Sequence, residues 1–300
     1  MPRAAIDIGS NTILLLVVAD DGRVLHDEAR VIGLGRGLGD RGLLATDRME
    51  AAEACLRDFL LTASRLGVET WAVRAVATSA ARRALNAQTW TGRLQRDLGL
   101  RVQIVSGDDE ARLTWKGAMR DLPIPEGPLL VVDIGGGSTE VVLGEGDRVY
   151  QRVSLEIGSV RLTEAFLGVP GPAPFDPVAL ARLRGHVEGE VARVKLNPLP
   201  RAVIGVAGTV TTLASVALGL PTYDGERLHG TRLTRLDLAK VGDRLLPLGG
   251  AARRDAVPAA PDRADYLLAG VAILDRVLAA SRRAQLTVSD RGLRFGVVAD

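Results

Sequence analysis

Two copies of one short motif contain the residues of this chain best suited to bind phosphate. The first is Asp7-Ile-Gly-Ser-Asn-Thr12, and the second is Asp133-Ile-Gly-Gly-Gly-Ser-Thr139. A turn of glycine and small hydroxyl residues leaves backbone N–H groups free to face an anion. The candidate phosphate contacts are therefore Gly9, Ser10, Asn11, Thr12, Gly135, Gly136, Gly137, Ser138 and Thr139.

The second copy has a purely structural alternative, which is a bulged turn without a ligand. Three consecutive glycines inside a β-branched segment lose conformational entropy that a structural hairpin would not need to lose. The occurrence of two copies favours the phosphate-binding interpretation.

The acidic residues of the two motifs predict a magnesium site. Asp7 and Asp133 each end a predicted strand, where a carboxylate can hold Mg²⁺ while substrate phosphates complete the coordination shell. Capping of its own turn is the alternative for each aspartate. Their equivalent positions favour the metal, and Glu140, directly after the second motif, is a candidate to support the same ion.

Glu110 is the candidate general base for a water nucleophile. It belongs to Ser106-Gly-Asp-Asp-Glu-Ala-Arg112, at a predicted strand-to-helix junction. Acidic residues there also stabilise a helix N-terminus, and spacing alone favours that capping role.

Two arginines form a candidate anion site. Arg82 and Arg83 follow Ala77-Thr-Ser-Ala-Ala at the predicted start of a helix, where positive charge is unfavourable. A bound anion would relieve this cost, and a solvated basic surface is an equal alternative.

The remaining candidates favour no second site. Glycines alternate from Gly33 to Gly39 without the Gly-x-Gly-x-x-Gly spacing, so we predict a flexible loop with Arg36 and Arg41 as contacts for a polyanion. The three histidines are too scattered for a zinc site. Cys55 is predicted to lie in the core on a helix face.

Composition excludes several classes of protein. The 300 residues are 47% hydrophobic and 25% charged, as in soluble folded proteins, and the net charge of +2 gives no argument for nucleic-acid binding. The single cysteine excludes an intramolecular disulfide. No apolar run approaches the roughly 20 residues that span a bilayer. We expect a cytoplasmic protein that binds neither nucleic acid nor membrane.

The two motifs open two similar halves of an α/β chain. Each is followed by a β-rich run, a tight turn (Asp21-Gly22; Glu145-Gly-Asp147) and a third strand, after which helices and strands alternate. Thr46 is the predicted N-cap of a first helix, and residues 80–98 are predicted as one helix. The proline-rich segment Asp121–Pro128 divides the chain into predicted lobes 1–124 and 125–300. Packing of the last helix back on the first lobe is left open.

Taken together, the motifs resemble the exopolyphosphatase/guanosine-pentaphosphate phosphohydrolase family of the actin-like ATPase superfamily, along the whole chain. The segments that carry the resemblance are Asp7–Thr12, Ala77–Arg82, Ser106–Arg112, Asp133–Glu140, Gly158–Glu164, Gly205–Val210 and Ser289–Arg294. The resemblance implies two duplicated actin-like (ribonuclease H-like) lobes with a cleft between them.

The same resemblance implies roles for individual residues. Glu110 would be the catalytic base, Arg82 would grip the transferred phosphate, and the two Asp-x-Gly loops would hold phosphate. Asp133 and Glu140 would assist with magnesium. Gly208 and Thr209 match a second-lobe loop that faces the cleft, and they join the phosphate-binding candidates.

The chain departs from the family pattern at three points. Asp109 stands where a second Glu is usual, and Phe295 stands where a Glu is common. The length resembles that of the short members, which lack an appended helical C-terminal region.

The leading hypothesis is a magnesium-dependent exopolyphosphatase that cleaves terminal phosphate from inorganic polyphosphate. A guanosine pentaphosphate phosphohydrolase is the second hypothesis. A non-hydrolytic alarmone-binding regulator and a sugar or acid kinase on the same fold are further alternatives, because motifs alone do not separate them. A homodimer is also left open.

Overall fold

The computed structural model describes residues 1–38, 42–146, 148–168 and 171–299. Arg41, a predicted polyanion contact, and Asp147, in a predicted turn, lie outside the described residues. The chain forms two compact units, which we call the first lobe (Met1–Gly117 with Leu293–Asp300) and the second lobe (Ala118–Gly292). No helix among the described residues is long and apolar enough to cross a membrane.

The first lobe contains a five-stranded sheet in the order β3-β2-β1-β4-β5. Its strands are β1 (Arg3–Ile8), β2 (Thr12–Val18), β3 (Val24–Val31), β4 (Val73–Ala77) and β5 (Val102–Ile104). The first three form an antiparallel meander, and β4 and β5 continue parallel to β1.

The second lobe repeats this arrangement with one additional strand. Its strands are β6 (Leu129–Ile134), β7 (Thr139–Glu145), β8 (Arg148–Leu155), β9 (Ala202–Val206), β10 (Arg232–Thr234) and β11 (Gln285–Val288). The order is β10-β11-β9-β6-β7-β8, so the meander β6 to β8 again lies beside parallel strands. The predicted α/β class with a duplicated three-strand meander is confirmed.

Helices flank both sheets. In the first lobe they are α1 (Thr46–Arg65), α2 (Ser79–Arg83), α3 (Ala87–Leu98) and α4 (Gly107–Ala118). In the second lobe they are α5 (Ser159–Leu162), α6 (Pro177–Ala192), α7 (Ala207–Ala217), α8 (Gly225–Leu228), α9 (Arg235–Leu245), α10 (Gly250–Asp255) and α11 (Leu267–Ala280). A π turn (Thr163–Leu167) follows α5, and short 3₁₀ turns lie at Thr70–Ala72 and Pro261–Tyr266.

The last helix, α12 (Leu293–Ala299), belongs to the first lobe. It packs on β1, β2 and β4, and Phe295 and Val298 are buried there with Leu16 and Val76. Arg294 makes a bidentate ion pair with Asp27, with N–O distances of 2.8 and 2.7 Å. The Phe at position 295 therefore fills a hydrophobic core.

Two local predictions are wrong. The predicted helix over 80–98 is interrupted after Arg83, because the side chain of Asn86 bonds the backbone N–H and C=O of Leu44 at 2.9 and 3.0 Å. Ala84 is extended, residues 85–86 form a turn, and two helices result. The N-cap of α1 is Ala45, which makes no side-chain cap, and Thr46 is the first helical residue.

Candidate active site

In the first lobe, three loops meet at the carboxyl ends of parallel strands. Ile8 of β1 lies beside Ala77 of β4, which lies beside Ile104 of β5. The turn after β1, helix α2 and the start of α4 therefore share one edge of the sheet, which is where α/β proteins usually bind ligands.

The first Asp-x-Gly turn is closed by its own backbone. The N–H of Gly9 donates to the carbonyl of Thr12 at 3.0 Å. Asn11, 9% exposed, lies inside this turn, and among the described residues its Oδ1 is a buried atom with no hydrogen-bond partner. An unsatisfied polar atom at this position is available to a ligand.

Residues 33–38, which belong to the predicted glycine-rich loop, are hydrogen-bonded to the first turn. The N–H of Gly35 donates to Ser10 O at 2.7 Å, and that of Gly33 donates to Asn11 O at 2.8 Å. The side chain of Arg36 lies over Gly33, whose φ is +72°. The segment therefore binds the carbonyl groups of the first turn from behind.

Glu110 and Arg82 meet as an ion pair at the same edge. Nη1 of Arg82 donates to Oε2 of Glu110 at 2.8 Å and to the carbonyl of Val105 at 3.2 Å. Glu110 is only 6% exposed. Nη2 of Arg82 is buried and has no hydrogen-bond partner among the described residues, so this donor can bind an oxyanion.

The argument for an anion site at Arg82 and Arg83, made because positive charge is unfavourable at a helix start, is wrong. Arg82 is linked to the site in a different way, through its pairing with Glu110. Both arginines lie in the last turn of the short helix α2, not at the start of a long one. Positive charge is favourable at a helix C-terminus.

The helix-capping alternative applies to Asp109. The Oγ of Ser106 donates to Asp109 Oδ2 at 2.8 Å and accepts the N–H of Asp109 at 3.1 Å, which is a reciprocal cap at the start of α4. Because this pair caps the helix, the side chain of Glu110 is directed instead to Arg82.

The second Asp-x-Gly turn has the same closure. The N–H of Gly135 donates to Ser138 O at 3.0 Å. The carbonyls of Gly135 and Gly136 accept N–H groups from Ser159 and Val160, both at 3.0 Å, at the start of α5. The carbonyl groups of this turn therefore point back into the lobe.

The amides of this turn are available for an anion. The N–H groups of Gly136, Gly137 and Ser138 donate no backbone hydrogen bond to a described residue. Thr139 differs, because it is fully buried and its hydroxyl donates to Ile157 O at 2.5 Å. Its side chain thus holds the meander together.

The acidic candidates of the second lobe stand directly opposite each other. Asp133 on β6 pairs with Glu140 on β7, and their exposed fractions are 7% and 1%. Oε1 of Glu140 accepts a hydrogen bond from Ser154 Oγ at 2.8 Å. In the first lobe the residue opposite Asp7 is Leu14, so that aspartate has no acidic counterpart across the strand pair.

These two carboxylates are suited to a divalent ion whose other ligands are water and phosphate oxygens. Residues directly opposite on antiparallel strands have Cβ atoms about 4.5–5.5 Å apart, and like charges there are destabilising unless a cation or proton is shared. The described residues contain no cluster of three or more His, Cys, Asp or Glu side chains that could hold a metal. Two carboxylates completed by water and phosphate are what Mg²⁺ commonly uses.

Ser159, which sequence reasoning missed, links Thr209 and the adjacent Gly208 to the second turn. The hydroxyl of Thr209 bonds Ser159 Oγ at 3.2 Å, and Ser159 Oγ donates to Gly135 O at 3.3 Å. Ser159 lies within the Gly158–Glu164 segment, but only the folded chain shows that it links two loops.

Arg263 is a second residue that sequence reasoning missed. Its guanidinium occupies the space next to Gly208, where a Cβ would lie 1.2 Å from Nη1. Ala207, which directly precedes Gly208, has a φ of +69°, a strained value for a non-glycine residue. Arg263 follows Pro261 in a 3₁₀ turn, and nothing in its local sequence indicates this contact.

The cysteine and the three histidines make contacts within the fold. Cys55 is 3% exposed in the first-lobe core, as predicted, and burial raises the pKa of its thiol to about 11. His26 contacts Glu28 at 3.0 Å, and His186 stacks near Phe166. Burial lowers the pKa of His229, whose Nδ1 accepts the N–H of Asp290 at 3.3 Å.

Comparison with known proteins gives one consistent result. The family model described as the Ppx/GppA phosphatase family matches residues 16–300. Exopolyphosphatase 2 of Mycobacterium tuberculosis is 34% identical over 98% of this chain and 96% of its own length.

Solved structures agree with this result. The crystal structure of the Aquifex aeolicus Ppx/GppA family member is 34% identical, with a TM-score of 0.81 over 99% of this chain and 96% of that one. An exopolyphosphatase from Cytophaga hutchinsonii is 25% identical, with a TM-score of 0.89 over 100% and 97%. The predicted fold of two actin-like lobes is confirmed.

Proposed function

Because this chain belongs to the Ppx/GppA phosphatase family, and is therefore a phosphatase of the hydrolase class, we propose that it removes terminal phosphate from inorganic polyphosphate. The observation that carries the proposed mechanism is the pair formed by Glu110 and Arg82, in which Nη2 of Arg82 remains unsatisfied. The name of the mycobacterial relative supports polyphosphate as the first substrate to test.

Glu110 acts as the general base in this proposal. Its carboxylate accepts a proton from water as the water oxygen attacks the terminal phosphorus, and the bond from that phosphorus to the bridging oxygen breaks. The products are orthophosphate and a chain shorter by one unit. Nη2 of Arg82 donates to a non-bridging oxygen and stabilises the charge on the transferred group.

In this proposal each turn binds phosphate through its own backbone. Gly9, Ser10, Asn11 and Thr12 serve in the first lobe. The second lobe contributes Gly135 to Thr139 together with Gly208 and Thr209. The hydroxyl of Thr139 is engaged with Ile157, so this residue contributes only its backbone.

Asp133 and Glu140 would hold Mg²⁺, with Asp7 as the acidic residue of the first lobe. The ion, when bound, would neutralise phosphate charge. The opposed positions of Asp133 and Glu140 support this assignment, because two neighbouring carboxylates can bind one divalent ion.

The test is release of orthophosphate from long-chain polyphosphate and, separately, from guanosine pentaphosphate, in the presence of Mg²⁺. Loss of a general base reduces turnover by about 10²- to 10⁴-fold, so Glu110→Gln should lose most activity. Asp109→Asn on the same helix is the control, because the Asp109 carboxylate bonds Ser106, which caps α4. We expect its turnover to stay within about threefold of wild type, with lower stability.

Each outcome has a distinct meaning. Faster release from guanosine pentaphosphate would replace the substrate assignment and keep the base. Full activity of Glu110→Gln would contradict the role of Glu110, whatever the substrate.

A further inference from the structure

A groove lies at the edge of the first-lobe sheet, beside the helix that carries Glu110. Its volume is about 470 Å³. Strands β4 and β5 form its floor, and Val297 of α12 and Leu113 of α4 contribute to its walls. Strand β5 is an edge strand of this sheet.

The charge of this groove is mainly positive. Arg74, Arg101 and Arg112 line it, and Asp109 is the one acidic residue among its described lining residues. Ala75 pairs with Val102, so Arg74 and Arg101 precede neighbouring positions on adjacent parallel strands. Nη1 of Arg74 donates to Val297 O at 3.1 Å, which fixes that guanidinium at the wall.

An exposed aromatic ring stands at the same groove. Trp71 is 83% exposed, whereas Trp90 and Trp115 are 2% and 5% exposed. Trp71 precedes β4 in the 3₁₀ turn Thr70–Ala72 and lines the groove together with Gln103. An indole ring offers a stacking surface for a base, and arginines bind phosphate through two N–H groups.

We infer that this groove binds a purine nucleotide. The base stacks on Trp71, and the phosphates bind Arg101 and Arg112. The volume falls within the roughly 300–1,000 Å³ of small-molecule sites. An inorganic anion would use the arginines but not the aromatic surface.

This groove adjoins the proposed catalytic pair through α4 and Val105, whose carbonyl accepts Arg82, but neither Glu110 nor Arg82 lines it. Asp109 and Arg112 line the groove, whereas Glu110 between them faces Arg82. The inference therefore does not depend on which phosphate compound is the substrate.

Tryptophan fluorescence of the full chain, titrated with GDP and with ADP, tests the inference. Stacking on Trp71 should quench emission in a saturable way, and Trp71→Phe should abolish the quenching. Arg101→Glu with Arg112→Glu should weaken nucleotide binding by roughly 100-fold, because two charge-assisted contacts are lost. Arg57→Glu, an exposed arginine on α1, is the control for charge reversal.

Pyrophosphate provides a probe without a base. It should compete with GDP while causing no quenching. Lack of saturable quenching in the wild type, or equal GDP affinity after reversal of both arginines, would overturn the inference. Circular dichroism of each variant distinguishes misfolding from loss of binding, and an unfolded double variant would be replaced by Arg101→Gln with Arg112→Gln.

Discussion

The two Asp-x-Gly turns share one backbone frame and differ in their side chains. In each, the first glycine N–H closes the turn onto a carbonyl three residues later. The two turns have the same length, since the pairs Ile8–Ile13 and Ile134–Thr139 each enclose four residues. At equivalent positions Asp7 faces Leu14 and Asp133 faces Glu140, so the lobes differ here in residue type.

The lobes also differ in what supports each turn. The first turn is bound from behind by the backbone of residues 32–35, and the second by the N-terminus of α5. The first lobe has the Glu110–Arg82 pair, whereas the second has the opposed carboxylates. The lobes therefore share the backbone proposed to bind phosphate, whereas the proposed base lies in the first lobe and two of the three proposed metal ligands, Asp133 and Glu140, lie in the second.

The largest expected effect comes from the acidic residue that only the second turn has. Glu140→Gln should reduce phosphate release by roughly 100-fold and raise the Mg²⁺ concentration needed for half-maximal rate, because a proposed ligand loses its charge. Leu14→Gln places the same side chain at the equivalent position of the first lobe and should leave the Mg²⁺ dependence unchanged. An identical Mg²⁺ profile for Glu140→Gln would remove this residue from the metal site.

The second-largest effect is expected at the glycines that pack behind each turn. A Cβ at Gly158 would lie 2.4 Å from Gly136 O, so Gly158→Ala must displace the second turn. We expect a stability loss of about 1–3 kcal/mol and at least a tenfold higher KM for polyphosphate. At Gly35, behind the first turn, the nearest atom would be at 3.2 Å, and Gly35→Ala should cost less. Urea unfolding and initial rates measure the two effects. A larger loss of stability or a larger rise in KM for Gly35→Ala than for Gly158→Ala would contradict this prediction.

A smaller effect is expected at Thr139, whose hydroxyl bonds a buried carbonyl. Thr139→Val leaves Ile157 O unsatisfied and should lower the free energy of unfolding by about 1–3 kcal/mol. Thr287→Val on β11, which is only partly buried, is the matched control and should be nearly neutral. Equal denaturation midpoints for the two variants would contradict the structural role of the Thr139 hydroxyl.

The smallest effect is expected at the link between two loops of the second lobe. Ser159→Ala removes the bonds to Thr209 and Gly135 and should raise KM about two- to fivefold, with little change in kcat. Ser215→Ala removes a hydroxyl bond within α7, to Thr211 O, and should leave KM unchanged. A fall in kcat alone for Ser159→Ala would indicate that the link acts on the chemical step.

Local pattern was sufficient for much of the fold. The two motifs, their meanders and the alternation of helices and strands follow from hydrophobic periodicity and turn residues, which act over a few positions. The break before α3 was missed because it depends on Asn86 bonding Leu44, which is 42 residues away.

Long-range contacts also limited what could be predicted at the candidate site. Spacing placed Glu110 at a helix start and left its role open, and only the fold brings Arg82 to it from another loop. Ser159 and Arg263 were missed for the same reason, since each reaches the second-lobe loops from a separate segment.

The position of α12 has a consequence for synthesis on the ribosome. Residues 293–299 cover the face of the first sheet that includes Ala5, Leu16 and Val76. Until the ribosome has made them, this apolar face lacks its cover, while the second lobe, which is continuous in sequence, can already assemble. We expect a nascent chain that stops at Gly292 to expose this apolar surface and to need a chaperone, although all five strands of its first sheet have already been made.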